Sequence, residues 1–214
     1  MELTPDSRAM LEIDHLHFEY ATRPLFRQFQ LTLGAGVSWL RGDNGAGKTT
    51  LLKLAAGALT PHAGTLRLRP GHADAIDSKL APLAYRQHSF YCGGEAPQLP
   101  WLTVREFLDL HVALYPASDR TLLNAELDAF KLMTTLSQPL TTLSLGQHKK
   151  VQLALALALP VSLLLIDEPF NGLDANAMDY LRRQLADPAR RARQCIVLTS
   201  HLDPQVPLAR TVQL

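Results

Sequence analysis

The sequence predicts an α/β fold in which a mostly parallel sheet carries an antiparallel β edge and an inserted helical lobe. Three observations support this prediction. A glycine-rich loop at residues 42–49 lies between an apolar segment and a helix-forming one. An apolar segment at residues 163–166 is followed by two carboxylates, a pattern typical of a buried strand in a parallel sheet. Between residues 97 and 140 the pattern is helical.

Composition bounds the size and class of the protein. The chain has 214 residues, of which 47% are hydrophobic, enough for one substantial core. We expect one domain, with residues 1–95 and 145–214 forming the core and residues from about 96 to 144 forming the helical lobe. The formal net charge of +1 argues against a nucleic-acid-binding surface. Cys92 and Cys195 lie far apart, which favours a reduced cytoplasmic protein over a disulfide framework.

The first part of the chain predicts antiparallel strands. Residues 11–16 and 29–33 alternate apolar and polar side chains, and residues 65–69 alternate again as a return strand. Tyr20 lies between the first two segments, before a turn-prone stretch. Its ring could stack on a nucleotide base, or it could be a half-buried tyrosine of an edge strand.

The glycine-rich loop predicts a phosphate site. An apolar strand at 37–41 leads into the loop, and a helix is predicted over 48–58. Glycines allow successive backbone N–H groups to converge on phosphate oxygens, and the N-terminal end of the helix adds positive potential. In this pattern Lys48 reaches the outer phosphates, and the hydroxyl of Thr49 completes the shell of a magnesium ion.

The middle of the chain changes from strand to helix signals. Residues 83–85 and 89–91 are weak strand candidates. Thr103 is a plausible N-cap for a helix, with Glu106 at the capping-box position. Residues 121–132 predict a second helix, so this region is expected to be a helical insertion in the α/β core.

A Ser-x-Gly-Gln turn at residues 144–147 opens a long helix predicted over 148–159. Ser144 could be only its N-cap, or the turn could offer a second helix N-terminus to a different phosphate. The apolar tract 151–166 is too short to cross a bilayer, and Pro160 would more naturally end a helix before a short buried strand. We therefore predict no membrane span in this chain.

The strand at 163–166 ends in Asp167 and Glu168, where ligands collect in parallel sheets. Because successive strand side chains point in opposite directions, we expect one carboxylate near magnesium and the other near an attacking water. A solvated acidic pair is the alternative. Asp174 is a possible helix cap. The apolar strand 195–199 ends near His201, which could be structural or catalytic at this sheet edge.

Five arginines near the C-terminus form a basic cluster. The cluster has no interleaved aromatic side chains, so we interpret it as a solvated helix face rather than a nucleic-acid site. Its members are Arg182, Arg183, Arg190, Arg191 and Arg193.

Together these segments resemble the nucleotide-binding subunit of an ATP-binding cassette (ABC) transporter, with a P-loop NTPase core, over almost the whole chain and in the same order. The small size and the sequence Glu168-Pro169-Phe170 resemble the short subunits of bacterial exporters, such as the haem-export ATPase of cytochrome c maturation. The matching motifs are Walker A at 42–49, the LSGGQ signature at 143–147, Walker B at 163–167, the D-loop at 171–174, the switch histidine at His201 and the base-stacking aromatic at Tyr20.

The resemblance implies an ATPase with ATP and Mg²⁺ as cofactors. In this family two subunits, as a homodimer or a heterodimer, pair head to tail and enclose each ATP between the phosphate loop of one and the signature of the other. Lys48 and His201 would then contact the phosphates, Glu168 would act as general base or orient water, and Asp167 with Thr49 would hold the metal. The nucleotide-binding residues implied are Tyr20, Gly42, Asn44, Gly45, Ala46, Gly47, Lys48, Thr49, Thr50, Ser144, Gly146, Gln147 and Asp174.

The resemblance also implies partners and a location. Closure on ATP and opening after hydrolysis would move a separate transmembrane permease subunit. The chain would accordingly be cytoplasmic and held at the inner face of the cell membrane through that partner. No direct membrane span and no nucleic acid are expected.

Three positions depart from the family pattern. Leu145 stands where the signature usually has glycine, and Leu155 where the following helix often carries arginine. Gly94 occupies the position expected for the Q-loop glutamine, and Gln98 lies four residues further on. Two alternative functions stay open at this point: a soluble ABC-type ATP switch acting on a protein or nucleic-acid assembly, and a nucleotide-binding module with impaired hydrolysis.

Overall fold

A computed structural model describes residues 10–21, 23–93 and 99–214. Gly94 and Gln98, the two positions considered for the Q-loop glutamine, lie outside the described residues. Within the described part, an antiparallel sheet and a parallel sheet are combined with seven α-helices and two short 3-10 helices, which confirms the predicted α/β class.

The antiparallel sheet comes from the first part of the chain, as predicted. Its outer strand β2 pairs with β1, which pairs with β4, and β5 follows at the other edge. Alternate side chains of the sheet enter a hydrophobic cluster with the first helix, because successive strand residues face opposite sides. The strands are β1 (Leu11–Tyr20), β2 (Arg23–Leu33), β4 (Ala63–Leu68) and β5 (Ile76–Asp77).

All strand pairs of the second sheet are parallel, so the carboxyl ends of its strands lie at one edge. Every residue of β7 and β8 is buried, as expected for strands covered on both faces. The strands are β3 (Gly36–Arg41), β6 (Ser89–Cys92), β7 (Leu163–Ile166), β8 (Cys195–Thr199) and β9 (Arg210–Gln213), in the order β6-β7-β8-β3-β9.

The helices complete the core on both sides of the parallel sheet. The helices of the inserted segment share one hydrophobic cluster with the long helix that follows them and with the sheet, so the insertion is packed onto the core. The helices are α1 (Lys48–Ala55), α2 (Pro82–Gln87), α3 (Val104–Leu114), α4 (Arg120–Ala129), α5 (Leu145–Ala158), α6 (Ala175–Ala186) and α7 (Pro188–Arg193).

The strand predicted at residues 83–85 is wrong, because these residues form α2. Pro82 lies in the first turn of that helix, where its fixed φ and missing N–H favour helix initiation. Tyr85 is fully buried and its hydroxyl donates to the carbonyl of Ala55 at 2.7 Å. A buried aromatic side chain such as Tyr85 is compatible with a strand or a helix, whereas Pro82 favours the start of a helix.

The interpretation of the arginine cluster as a solvated face is wrong for Arg190. This side chain is buried, and its guanidinium donates to the carbonyl of Leu157 through both terminal nitrogens, at 3.2 and 3.1 Å. It also lies 4.0 Å from the buried carboxylate of Glu126 on α4. Burial lowers the pKa of Arg190 and raises the pKa of Glu126. Arg190 therefore connects α7 to the end of α5 and to the helical insertion.

The apolar tract at 151–166 is divided between the second half of α5 and strand β7, with Pro160 between them. Neither element is long enough to span a bilayer. In the part of the chain that the structure describes, no helix combines the length and apolarity that a membrane crossing requires.

Candidate nucleotide-binding site

A cavity of about 780 Å³ opens at the carboxyl edge of the parallel sheet. This is the edge at which ligands bind in open α/β sheets. The structure brings ten of the predicted site residues to it from four separate parts of the chain. They are Tyr20, Asn44, Gly45, Gly47, Lys48, Thr49, Thr50, Asp167, Glu168 and His201.

The loop at one end of the cavity has the geometry of an anion cradle. Helix α1 begins at Lys48 without a side-chain cap, so the N–H groups of its first turn are available to a ligand. The preceding Gly47 has φ +100°, and a Cβ there would lie 3.0 Å from the side chains of Leu25 and Phe26. Only glycine fits that backbone position without strain.

The ammonium of Lys48 lies over the same loop. Its Nζ donates to the carbonyl of Gly42 at 2.7 Å and to the carbonyl of Asp43 at 3.0 Å. The N–H of Ala46 closes the loop by donating to Asp43 at 3.1 Å. Gly42 and Ala46 thus shape the loop without lining the cavity, while Lys48 supplies a positive charge next to the free N–H groups.

Three hydroxyl groups surround the carboxylate of Asp167. Thr49 and Tyr91 donate to Oδ2 at 2.7 and 3.1 Å, and Thr199 donates to Oδ1 at 2.6 Å. Burial first, and the neighbouring carboxylate second, raise the pKa of Tyr91, which therefore stays a protonated donor. The hydroxyl of Thr49 and the carboxylate of Asp167 are hard oxygen ligands at contact distance, which fits a magnesium ion.

Glu168 points away from that group and towards His201. Its Oε1 lies 3.5 Å from Nε2 of His201, and its Oε2 lies 3.5 Å from the amide nitrogen of Asn171. The backbone of Glu168 has φ +47°, a conformation that non-glycine residues rarely adopt. As expected, the two consecutive carboxylates have separate environments.

Tyr20 lies at the end of β1, where its ring lines the cavity and is 52% exposed. It packs edge-on against Phe18, with ring centroids 4.9 Å apart. Much of the ring is therefore accessible to a ligand in the cavity.

Among the described residues that line this cavity, the structure does not include Ser144, Gly146, Gln147 or Asp174. Ser144 is the N-cap of α5, with Oγ accepting from the N–H of Gln147 at 3.2 Å, which confirms that part of the prediction. Helix α5 begins at Leu145, three residues before the predicted start. The side chain of Leu145 is 87% exposed at the cavity rim.

Two further residues of the predicted set lie where α5 meets the segment 171–174. A Cβ on Gly146 would lie 2.7 Å from the carbonyl oxygen of Gly172, so glycine permits the close approach of α5 to the segment 171–174. Asp174 caps α6 by accepting the N–H of Ala177 at 3.0 Å, as predicted. The side-chain hydrogen bond from Lys150 holds the pKa of Asp174 below its usual range.

Sequence reasoning missed three residues whose side chains donate to Asp167. Tyr91 and Thr199 donate to Asp167, and Lys149 donates from its Nζ to the backbone carbonyl of Asp167 at 2.8 Å. Thr199 had a readable signal, since a hydroxyl at the carboxyl end of a buried strand needs a partner. Tyr91 and Lys149 had none, because nothing in their local pattern indicates that β6 and α5 meet at Asp167.

Comparison with known proteins agrees with this geometry. The family model described as ABC transporter matches residues 26–171. The cytochrome c biogenesis ATP-binding export protein CcmA of Legionella pneumophila is 32% identical over 197 residues, covering 91% of this chain and 94% of that protein. The protein of the same name from Pseudomonas putida is 35% identical over 186 residues, covering 84% and 83%.

Solved structures show the same fold. The structure of an ATP-binding subunit of an ABC transporter superposes with a TM-score of 0.79 at 27% identity, covering 90% of this chain and 80% of that one. A dimeric post-hydrolysis ATP-binding cassette bound to ADP and Pi gives 0.74 at 19% identity, over 90% and 88%. With the loop, the two carboxylates and His201 at one sheet edge, the chain belongs to the ABC transporter family, as an ATP-binding and ATP-hydrolysing subunit that powers a transporter.

Proposed function

We propose that this chain hydrolyses magnesium-bound ATP at the cavity described above, with the phosphate groups in the loop that ends at Lys48. The observation that supports this most directly is the 2.7 Å contact between Thr49 and Asp167, which joins the phosphate loop to the end of β7. Thr49 and Asp167 would hold the magnesium ion. When bound, that ion neutralises charge on the phosphate oxygens.

Each neighbouring residue then has a separate task. Lys48 and the N–H groups of α1 bind the phosphates, while Tyr20 stacks on the base. Glu168 would accept a hydrogen bond from the attacking water and align it with the γ-phosphate, and His201, 3.5 Å from Glu168, would contact that phosphate. Phosphoryl transfer requires mostly placement and charge neutralisation, which fixed side chains at one sheet edge can provide.

The Ser144 turn, in this proposal, acts on a second cassette. Ser144 is exposed at the N-terminus of α5, outside the cavity of its own chain, and the positive end of a helix attracts anions. We propose a head-to-tail dimer in which Ser144, Gly146 and Gln147 of one chain cover the ATP held by the other. The exposed side chain of Leu145 would lie at that interface and exclude water.

Cysteine crosslinking tests this arrangement. Both native cysteines are buried, so engineered surface thiols react selectively. Chains carrying Asn44→Cys are mixed with differently tagged chains carrying Leu145→Cys. Both positions are exposed, and because each chain carries only one of the two thiols, a disulfide between them must join two chains. With ATP and mild oxidant, we expect a disulfide-linked heterodimer on a non-reducing gel.

The matched control replaces Asn44→Cys by Lys79→Cys, an equally exposed position far from the loop in sequence. That pair should stay monomeric, as should each variant alone. If Asn44→Cys and Leu145→Cys chains give no more crosslink with ATP than without it, the head-to-tail homodimer is contradicted.

We further propose that the helical segment from about 96 to 144 moves as a unit against the rest of the domain and transmits ATP-driven closure to a separate transmembrane subunit. The chain would then work in the cytoplasm at the inner face of the membrane. Two relatives, at 32% and 35% identity, are named cytochrome c biogenesis ATP-binding export proteins. Their names support a role for this chain in cytochrome c biogenesis and export. Tagged chain isolated from detergent-solubilised membranes should bring down a polytopic protein. Its recovery only in a membrane-free complex would contradict this part of the proposal.

A further inference from the structure

The hydroxyl of Thr199 connects the two carboxylate residues of the site. Its Oγ1 donates to Oδ1 of Asp167 at 2.6 Å and accepts the backbone N–H of Glu168 at 2.9 Å. A threonine hydroxyl has one proton and two lone pairs, so both contacts can form together. Thr199 has 0% exposure, so solvent does not compete for either contact.

The first contact fixes the orientation of the Asp167 carboxylate. With Oδ1 held by Thr199, Oδ2 is directed to Thr49 and Tyr91 on the other side. Both oxygens of the group are therefore bound to protein donors. Rotation of the carboxylate would break contacts at each end.

The second contact holds an unusual backbone turn. Glu168 has φ +47°, which is sterically disfavoured for a residue with a Cβ. Its N–H lies directly on the hydroxyl of Thr199, so the peptide that joins the two carboxylate residues is bound to β8. This turn directs the Glu168 side chain towards His201, at 3.5 Å.

We infer that Thr199 is a positioning residue for ATP hydrolysis, whose hydroxyl keeps the metal-binding carboxylate and the Glu168 turn in one fixed relative arrangement. This inference rests on the roles proposed above for Asp167 and Glu168. Thr199 touches neither nucleotide nor water in this scheme and acts only through these two neighbours. Groups that orient metal ligands typically account for 10–100-fold in metal affinity or activity.

Two substitutions separate the hydroxyl from the shape of the side chain. Thr199→Val removes the hydroxyl and keeps the branching, while Thr199→Ser keeps the hydroxyl. We expect Thr199→Val to lower kcat by about 10–100-fold with a smaller change in KM for ATP, and Thr199→Ser to restore most of it. The affinity for Mn²⁺ in the presence of ADP, measured by electron paramagnetic resonance, should fall by about tenfold in Thr199→Val only.

Three controls make the result decisive. Thr211→Val, at an exposed position on β9, should leave kcat and Mn²⁺ affinity unchanged. Nucleotide binding in EDTA and the melting temperature check that each variant is folded; if Thr199→Val is not, Thr199→Ala is judged by the same criteria. Asp167→Asn should lose Mn²⁺ binding, and if it does not, the proposed metal site itself is wrong.

Provided that Asp167→Asn loses Mn²⁺ binding as expected, two outcomes would overturn the inference about Thr199. In the first, the folded variant lacking the hydroxyl keeps kcat and Mn²⁺ affinity close to those of the parent. In the second, Thr199→Ser, which keeps the hydroxyl, is as impaired as Thr199→Val, so the hydroxyl would not account for the effect.

Discussion

Glu168→Gln is expected to reduce steady-state ATP hydrolysis by about 10²–10⁴-fold, the usual contribution of a positioned general base. Glutamine has nearly the same shape but cannot take a proton or carry the negative charge that orients water. The backbone contact from the N–H of Glu168 to Thr199 does not depend on the side chain and should persist. Phosphate release by the purified chain with ATP and Mg²⁺ measures the effect.

The same variant should still bind ATP and should accumulate as a dimer, because closure no longer leads to turnover. Size-exclusion chromatography with and without ATP detects this change. Glu12→Gln on β1 is the matched control, since this half-buried carboxylate lies outside the cavity lining and its replacement should retain parental hydrolysis. If Glu168→Gln hydrolyses ATP at the parental rate, Glu168 is not the general base.

Lys48→Ala is expected to weaken ATP binding by about 10–100-fold, since charge-assisted hydrogen bonds contribute roughly 1.5–3 kcal/mol each. The loss of hydrolysis should be larger, about 10²–10³-fold, because charge on the phosphate oxygens changes during transfer. In the structure the Lys48 ammonium already lies within the loop, on the carbonyls of Gly42 and Asp43. Titration with a fluorescent ATP analogue and the phosphate-release assay measure the two effects.

Lys79→Ala serves as the control for Lys48→Ala, because it removes the same charge from an exposed position outside the cavity lining. Melting temperatures show whether either variant is destabilised. If Lys48→Ala binds the analogue as tightly as Lys79→Ala and remains folded, the loop is not the phosphate site.

Local chemistry explains why much of the fold could be read before the structure. The phosphate loop is specified by glycines, a lysine and a hydroxyl within one short segment, and its flanking strand and helix have clear periodicity. Thr103 and Ser144 are confirmed as N-caps because capping depends on side chains only three residues apart. The strand predicted at 83–85 is wrong, because strand propensity at these residues is overridden by Pro82, which initiates a helix.

Contacts between distant segments could not be read in the same way. Arg190 belongs to an arginine-rich helix that looks solvated, yet it is buried against Leu157 and lies near Glu126, 64 positions earlier in the chain. Tyr91 and Lys149 reach Asp167 from a strand and a helix whose local sequences contain no sign of that meeting. Such contacts depend on how the helices and strands pack together. The spacing of residues along the chain does not predict that packing.

By itself, the sequence determined which glycine-rich loop precedes a helix, which strand ends in carboxylates and which family has both in this order, because these features depend on neighbouring residues. Tertiary structure alone decided how the Asp167 carboxylate is held, through hydroxyls from α1, β6 and β8. The physical reason is that parallel strands bring their carboxyl ends to one edge, where residues distant in sequence come within hydrogen-bonding distance and satisfy each other's buried polar groups.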